Sequence, residues 1–562
     1  MTLPILASGP QAFGAQAAGS PPTGRARIAK VLHPVSVSVN ASAPGAPVNE
    51  HLIGFDGPGA PGAFTKIAAL HPYYIRTDVS FEGTYDGRPV YDCATGGWNP
   101  ALTDSRVQQI REESARPELI VDYMPDCLAS PAPPGINPNY EPPAPGASTT
   151  AWEKLVETMA VHEISVEGVR TFEIWNEPDW VFFAGGLSGY LRLYRITSLA
   201  LEAAAKVTGR RIEVGGPALA DVYGTLDTSF LDALLSEVVH DHLPLDFVSW
   251  HLYANDPDSG PQHGVGPLCI YSADPATNPC YYNPRLSAGL YAKETAQAKA
   301  ALARYPQLHP KLWIDEWNVG PEYDARQSGP YDGAFVSAVL DAAQGAGVNR
   351  MCYFFVADSS DPYGNWGVLN DRYQPLPSYY AFDYWHLLAG DRLATSIAGG
   401  GNPFGPGSGG VGAVASTTPD GTIHVLVYDF MPFDPSGDYG THLPTPTGAE
   451  VHLEVSGLTS ATYGVRGLSM QSIDDAALLS SPGSSGSSMS ATVTLPTEGV
   501  ALLTLHPLGP PPPAHDLAGW LLALLVVIAV VIIAAVVTFV LRARRHGAAS
   551  GAPPADPASE TA

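Results

Sequence analysis

Two short motifs each place a glutamate at the end of an apolar run and beside aromatic residues. They are Trp175-Asn176-Glu177-Pro178 and Trp313-Ile314-Asp315-Glu316-Trp317-Asn318. The chain between Glu177 and Glu316 is long enough for roughly three strand–helix units. If both glutamates close parallel strands of one barrel, their carboxylates face each other across the mouth of a single pocket. Two facing carboxylates are the groups that a glycosidase uses as acid/base and as nucleophile.

A series of short apolar runs supplies the elements that would position these glutamates. The runs alternate with stretches whose apolar residues recur at helical spacing, which is the pattern of repeated strand–helix units. Eight runs are expected to be strands: 51–56, 73–79, 118–123, 171–176, 212–216, 246–252, 312–316 and 351–356. Eight such units predict an α/β fold, a (β/α)8 TIM barrel over residues 51–390.

Further polar and aromatic residues lie at or just beyond the ends of these predicted strands. Because a barrel of this type builds its site at the carboxyl ends of its strands, we expect these side chains to bind substrate: Arg76, Asn176, His251, Tyr253, Trp317 and Asp358. Each has an ordinary alternative. Arg76 could form a structural ion pair, His251 could be a satisfied core histidine, and Trp317 could be packing.

The two glutamates need opposite protonation states to cleave a glycosidic bond. One carboxyl group must keep its proton and give it to the leaving oxygen, while the other must be ionised to attack the anomeric carbon. Burial and a like charge nearby are expected to keep the first one protonated. The pair needs no cofactor, and the chain carries neither a CxxC nor an HExxH metal motif.

The two glutamate motifs resemble those of the clan A retaining glycoside hydrolases, most closely family 39, which includes β-xylosidases and α-L-iduronidases. The resemblance covers about 50–390 and includes 173–179, 249–253, 314–318 and 365–369. It implies Glu177 as acid/base and Glu316 as nucleophile. It also implies that Asn176 bonds the sugar 2-hydroxyl, and that His251 and Tyr253 help to orient Glu316.

The rest of the chain predicts smaller units around the barrel. Residues 391–508 alternate or run apolar between Gly, Ser and Pro turns, which is typical of a β-sandwich. A strand at 35–50 could join that sandwich. The remaining segments are a disordered N-terminus (1–34), a proline-rich linker (509–518), a transmembrane helix (519–541) and a disordered cytoplasmic tail (542–562).

The transmembrane prediction depends on a stretch without charge. Residues 520–541 would span ~33 Å as a helix, and Arg542, Arg544 and Arg545 follow directly. Basic residues mark the cytoplasmic side, so we expect a single-pass protein of the cell membrane with an extracellular barrel. The N-terminus is a poor signal peptide. The start could be mis-assigned, export could use an unusual signal, or the helix could insert as a tail anchor.

Charge and cysteine content limit the classes of partner and compartment. The formal net charge is −26, from 55 acidic and 29 basic residues, which argues against nucleic-acid binding. Two disulfides, Cys269–Cys280 and Cys93–Cys127, would suit an oxidising exterior. Cys352 is expected to be buried and free.

Three functional classes are compatible with these features. The first is a retaining glycosidase of an extracellular or cell-surface glycan, similar to β-xylosidases; α-L-arabinosidase, uronidase and endo-acting specificities also fit. The second is a non-catalytic carbohydrate-binding protein on the same scaffold, although both carboxylates are present. The third is a structural wall or membrane protein whose barrel is only a scaffold. The sequence sets neither the sugar nor the oligomeric state.

Overall fold

The computed structural model of the chain describes residues 32–220, 226–254, 287–320, 327–358, 366–405, 409–431, 448–459, 463–469, 479–485 and 487–507. The strands in these ranges are β1 (His33–Pro47), β2 (Gly54–Asp56), β3 (Tyr74–Asp78), β4 (Thr84–Tyr85), β5 (Arg88–Pro89), β6 (Tyr91–Asp92), β7 (Gly97–Trp98), β8 (Arg116–Ile120), β9 (Thr171–Glu173), β10 (Glu213–Leu219), β11 (Phe247–Tyr253), β12 (Lys311–Asn318), β13 (Arg350–Tyr353), β14 (Asp391–Ala398), β15 (Gly410–Thr417), β16 (Ile423–Phe430), β17 (Ala449–Ser456), β18 (Tyr463–Ser469), β19 (Leu479–Ser485), β20 (Ser488–Leu495) and β21 (Val500–Pro507). The α-helices are α1 (Phe64–Ala69), α2 (Ala101–Glu112), α3 (Ala147–Ser165), α4 (Gly186–Thr208), α5 (Thr228–Asp241), α6 (Gly289–Leu302), α7 (Pro330–Ala346) and α8 (Pro377–Leu387).

Eight parallel strands close into a barrel, which confirms the predicted (β/α)8 architecture. Their order around the barrel is β2, β3, β8, β9, β10, β11, β12 and β13, and β13 pairs with β2 to complete it. In the described ranges one helix follows each barrel strand along the chain, from α1 after β2 to α8 after β13. The strands are nearly continuously buried, as expected when side chains on one face fill the barrel and those on the other pack against helices.

Local sequence explains where several helices begin and end. Asp227 precedes α5, and its carboxylate accepts hydrogen bonds from the backbone N–H groups of Ser229 and Phe230. Gly209 and Gly347 end α4 and α7 with φ of 63° and 77°, a left-handed conformation that glycine adopts without penalty. These signals fix the lengths of the helices that enclose the barrel.

A nine-stranded sheet lies beside the barrel. Its order is β18-β21-β16-β15-β14-β1-β17-β20-β19. Along β1, Val35, Val37 and Val39 are buried while the serines between them are exposed, so this strand has the period of two of a sheet with one covered face. On the barrel side, Tyr428 of β16 donates to Asp341 of α7 at 2.9 Å.

The sheet differs from the predicted β-sandwich in its connectivity. Strand β1 pairs with β14 in antiparallel fashion and with β17 in parallel fashion. It therefore joins two halves that would otherwise be separate sheets into a single hydrogen-bonded sheet. The N-terminal strand, which the sequence suggested only as an addition, is central to it.

The fold prediction also has to be corrected at its C-terminal end. No helix in the described part of the chain is long and apolar enough to cross a membrane. The longest one, α4, carries four charged residues, because its outer face meets water. The described part of the chain therefore consists of a barrel and a sheet, and the predicted fold class is corrected because this part holds no membrane-spanning helix. The segments predicted at 509–518, 519–541 and 542–562, and nearly all of 1–34, lie outside the described residues.

Candidate active site

The two motif glutamates meet at one point of the barrel. Glu177 follows β9 and Glu316 lies in the second half of β12. A carboxylate oxygen of each and a ring nitrogen of His251 all lie within 4.8 Å of one another. The Nδ1 atom of His251 is 2.8 Å from Glu177 Oε1 and 3.6 Å from Glu316 Oε2. The structure therefore brings two carboxyl groups, 139 positions apart in sequence (316 minus 177), into one site.

Backbone geometry aims the side chain of Glu177 into the site. Glu177 has a φ of 46° and Trp175 a φ of 71°, both in the left-handed region that bulky residues rarely adopt. The surrounding packing holds this conformation. The N–H of Glu177 donates to the carbonyl of Ala218 at 3.0 Å. The buried indole of Trp175 donates to the carbonyl of Phe182 at 3.0 Å.

An irregularity in the neighbouring strand supplies the acceptor for Glu177. Between Gly216 and Leu219 the register of β10 against β11 shifts, so that three steps along β10 match two along β11. Such a bulge turns the local backbone. Within this bulge the N–H of Ala218 donates to the hydroxyl of Ser249 at 3.0 Å. The carbonyl of Ala218 accepts the hydrogen bond from the N–H of Glu177.

Burial sets the protonation state of Glu177 and His251. Only 6% of Glu177 is exposed, and burial raises the pKa of its carboxyl group to about 8, against the opposing charge of Arg76. Burial lowers the pKa of His251 to about 4, although the charge of Glu316 acts in the other direction. At neutral pH Glu177 is therefore a proton donor and His251 a neutral imidazole. For both groups burial is the largest cause of the shift in pKa.

A β-bulge gives Glu316 its orientation. Trp250 of β11 pairs with Ile314 of β12, yet the next residue, His251, pairs with Glu316. Asp315 is thus an extra residue in β12. In a regular strand neighbouring side chains point to opposite faces, whereas the bulge lets both acidic side chains approach the barrel interior.

Two donors hold the carboxylate of Glu316. The Nη1 atom of Arg76 donates to Glu316 Oε2 at 3.2 Å, and the hydroxyl of Tyr253 donates to Glu316 Oε1. The side chain of Glu316 is 14% exposed, so one part of the carboxylate remains open toward the barrel mouth. The side chain of Glu316 is therefore held in one orientation while part of it stays exposed.

Arg76 connects both glutamate motifs. Its guanidinium is 1% exposed and, besides Glu316, donates to Glu173 and Asp56 at 2.7 Å each and to Asn176 Oδ1 at 2.8 Å. The predicted residue Asn176 is therefore fixed by Arg76, and its own Nδ2 donates to the hydroxyl of Tyr123 at 3.4 Å. Arg76 is both a structural ion pair and a member of the site.

Beneath the site lies a layer of buried acidic side chains that the sequence analysis did not single out. Carboxylate oxygens of Glu118, Glu173 and Asp315 lie within 4.8 Å of one another, and Ser249 donates to Glu173 at 2.5 Å. Burial raises the pKa of Asp315 well above its usual range. For Glu173 the burial effect is outweighed by Arg76 and by hydrogen bonds, so its pKa is lowered. The signal in the sequence was an acidic residue inside an apolar strand.

The spacing of these carboxylates also resembles metal-ligand sets. Besides Glu118, Glu173 and Asp315, the site residues Glu177, His251 and Glu316 offer ligand atoms within 4.8 Å. In each set Arg76 already forms an ion pair with a carboxylate, that of Glu173 in the first set and that of Glu316 in the second. The arrangement can therefore carry out acid–base and nucleophilic chemistry with its own side chains.

The other two predicted substrate-binding residues are Trp317 and Asp358. Trp317 is fully buried, and its ring packs edge-on against Tyr291 and Tyr353. It points away from Glu316 into the layer between barrel and helices, because adjacent residues of a strand face opposite sides, so the expectation that it contacts substrate is corrected. Asp358 lies in the loop after β13, where it accepts a hydrogen bond from the N–H of Gly367 at 2.8 Å.

The described cysteines have the following states. Cys93 and Cys127 form a disulfide with an S–S distance of 2.05 Å, and Cys352 is free and buried. Cys269 and Cys280, the other predicted pair, lie outside the described residues.

Sequence comparison identifies the protein family to which this chain belongs. The profile of Glycosyl hydrolases family 39 matches residues 90–418, a range that contains both glutamates and His251. The chain belongs to glycosyl hydrolase family 39. This confirms the resemblance predicted from the two motifs and makes the chain a member of a family of glycosidases.

Individual relatives of this family 39 chain extend the comparison. A β-xylosidase from Caldicellulosiruptor saccharolyticus is 29% identical over 315 residues, which are 52% of this chain and 57% of that protein, so the match spans little more than half of the relative's length.

Two solved structures have similar folds. The family 39 enzyme from Xanthomonas axonopodis pv. citri is 18% identical with a TM-score of 0.62, over 84% of this chain and 97% of the other. A monomeric β-xylosidase from Caulobacter crescentus CB15 is 18% identical with a TM-score of 0.63, over 84% and 100%. At these identities the two structures establish similarity of fold.

Proposed function

We propose that this family 39 chain is a retaining glycosidase that hydrolyses an O-glycosidic bond by double displacement. The observation that carries the proposal is the approach of Glu177 and Glu316, whose carboxylate oxygens lie within 4.8 Å. Retaining glycosidases hold their two carboxyl groups ~5–5.5 Å apart, whereas inverting ones leave ~6.5–9.5 Å for a water molecule. The short separation supports the retaining mechanism.

In the first step Glu316 acts as the nucleophile and Glu177 as the acid. A carboxylate oxygen of Glu316 attacks the anomeric carbon, and the bond from that carbon to the leaving oxygen breaks. Glu177 transfers its proton to the leaving oxygen, which departs as an alcohol. The pKa of about 8 that burial gives Glu177 keeps this proton available at neutral pH.

In the second step water releases the sugar from Glu316. Glu177, now ionised, takes a proton from the water molecule, whose oxygen attacks the anomeric carbon while the ester bond to Glu316 breaks. The water that replaces the leaving group solvates Glu177, which reduces the cost of its negative charge. Both glutamates return to their starting states.

Neighbouring residues support these roles by position. Tyr253 and Arg76 donate to Glu316, so they orient the nucleophile and stabilise its anionic form. The neutral imidazole of His251 contacts Glu177 at 2.8 Å without adding a positive charge beside the acid. Asn176 bonds the sugar 2-hydroxyl in this proposal, which is supported by its contact with the same guanidinium that donates to Glu316.

The substrate we propose is a β-xyloside of an extracellular or cell-surface glycan. Two proteins similar to this chain are described as β-xylosidases, from Caldicellulosiruptor saccharolyticus and Caulobacter crescentus. The Cys93–Cys127 disulfide supports a location outside the cytoplasm, because disulfides persist in oxidising compartments. Peptide mapping of unreduced protein from its native compartment should recover the two cysteines linked; recovery of two free thiols would contradict the location.

Kinetics with an aryl β-xyloside tests the catalytic roles. Glu316→Ala and Glu177→Ala should each lose most of the hydrolytic activity, and azide should restore turnover of Glu177→Ala by attacking the glycosyl intermediate in place of activated water. Glu454→Ala is the matched control, because Glu454 is exposed on β17 of the sheet and outside the site. Activity like that of the wild type in either site variant would refute the assignment.

The stereochemistry of the product tests retention separately. In ¹H NMR spectra of the reaction, the sugar should first appear with the anomeric configuration of the substrate and only later equilibrate. First appearance of the opposite anomer would refute double displacement and leave the glycosidase assignment intact.

A further inference from the structure

A second cluster of ligating side chains lies on the outside of the barrel, between α2 and α3. Asp104 is in the first turn of α2, and His162 and Glu163 are in the last turn of α3. The imidazole Nε2 of His162 is 2.9 Å from Asp104 Oδ1. One ligand atom from each of the three residues lies within 4.8 Å of the others. The cluster belongs to no part of the site that contains Glu177 and Glu316.

The carboxylate of Glu163 is the unusual member of this cluster. Glu163 is 0% exposed, and neither of its oxygens has a hydrogen-bond partner among the described residues. A buried carboxyl group without a partner is costly, whether charged or neutral. A cation at the centre of the cluster would remove this cost by satisfying the carboxylate.

The charges that face Glu163 favour a cation. Asp104 and Glu167 act on it as negative groups, and Arg111 is the positive one. The guanidinium of Arg111 already donates to the carboxylate and to the backbone carbonyl of Glu167, and its side chain is 39% exposed. It therefore leaves the oxygens of Glu163 unpaired. The cluster therefore combines two acidic side chains with one imidazole, and the nearby cation Arg111 is paired with Glu167 instead.

We propose that Asp104, His162 and Glu163 bind a divalent transition metal ion, with Zn²⁺ as the best match. One imidazole and two carboxylates are ligands that Zn²⁺ accepts, at ~2.0–2.2 Å in tetrahedral geometry. Asp104 and His162 are 35% and 26% exposed, so water can take the fourth position. The ion would link the start of α2 to the end of α3.

Metal retention by the full chain tests the proposal. Protein stripped with a chelator is dialysed against low-micromolar ZnCl₂, and bound zinc is counted by elemental mass spectrometry. The wild type should hold one more zinc ion per chain than His162→Ala, and Glu163→Gln should bind at least roughly tenfold more weakly than the wild type. Because counts are compared between variants, zinc held by Glu177, His251 and Glu316 cancels.

Stability and controls separate a metal site from a structural contact. Zinc should raise the Tm of the wild type by a few degrees, and this rise should be absent in His162→Ala. The matched control is His309→Ala, since His309 is an exposed histidine on the same domain; it should bind zinc and respond to it like the wild type.

Equal zinc counts and equal zinc-dependent Tm shifts in the wild type and His162→Ala would overturn the proposal, and so would a wild type that retains no zinc. If His162→Ala has a lower Tm without metal but the wild type gains none from zinc, the cluster is only a structural contact, and the proposal is wrong.

Discussion

Replacement of Glu177 by glutamine should stabilise the protein above neutral pH while removing most of its activity. Glu177 is 6% exposed, and burial raises the pKa of its carboxyl group from 4.5 to about 8. Glutamine has nearly the same shape and carries no charge at any of these pH values. It removes the proton that Glu177 donates in the proposed mechanism, and it also removes the cost of keeping a carboxyl group in this site.

The difference in the free energy of unfolding between Glu177→Gln and the wild type follows from the pKa of Glu177 in the folded and unfolded states. Between pH 4.5 and about 8 the folded protein keeps the proton of Glu177, while the unfolded chain has released it. The unfolded state binds fewer protons in this range, so the contribution of Glu177 to the free energy of unfolding falls as pH rises, by ~1.36 kcal/mol per unit. Because glutamine does not titrate, Glu177→Gln does not show this fall in the free energy of unfolding. Its advantage over the wild type should grow from near zero at pH 4.5 to ~3 kcal/mol at pH 7 and ~4 kcal/mol at pH 8.

Denaturation of both proteins at several pH values measures this difference. Urea midpoints of the wild type and Glu177→Gln are compared at pH 5 and pH 8, so that the titration of other groups cancels. Glu454→Gln is the control; its carboxylate is exposed on β17, and its stability relative to the wild type should not depend on pH. A difference between Glu177→Gln and the wild type that is equal at pH 5 and pH 8 would refute the buried-acid argument.

Three further perturbations test other parts of the structure. Tyr253→Phe removes a donor to Glu316 and should lower kcat roughly tenfold or more with little change in KM; steady-state kinetics with an unchanged kcat would contradict the orienting role. Arg76→Lys cannot keep all four contacts of the guanidinium and should destabilise the fold by roughly 3–5 kcal/mol in chemical denaturation; stability equal to the wild type would show that these contacts add nothing. Joint replacement of Cys93 and Cys127 by serine opens a loop with a sequence separation of 34 and should cost ~3–4 kcal/mol. An unchanged Tm would contradict that estimate of the disulfide's contribution.

The barrel was predictable because its strands are marked in two independent ways. Parallel strands are buried on both faces, so they stand out as apolar runs such as 246–252 and 312–316. Polar residues at their carboxyl ends, including Arg76, His251 and Tyr253, then indicated where the site would be. All three contact one of the two glutamates in the structure.

Other features could not be obtained from the spacing of residues. Trp317 is adjacent to Glu316 in sequence but lies on the opposite face of the strand, among aromatic residues of the helix layer. The pairing of β1 with both β14 and β17 makes one sheet where two were expected. The order of the sheet depends on which strands are neighbours in space, and local pattern carries no record of that. The face on which Trp317 lies depends on the bulge at Asp315, which appears only when β12 pairs with β11.

The sequence by itself determined the strand–helix repetition and the identities of Glu177 and Glu316, because apolar periodicity and motif composition are local properties. Only the tertiary structure decided the surroundings of these two glutamates. The bulge at Asp315 turns Glu316 toward Arg76, and closure of the barrel encloses Glu177 so that burial raises its pKa to about 8. Register and desolvation arise from contacts between distant segments, so they exist only once the chain has folded.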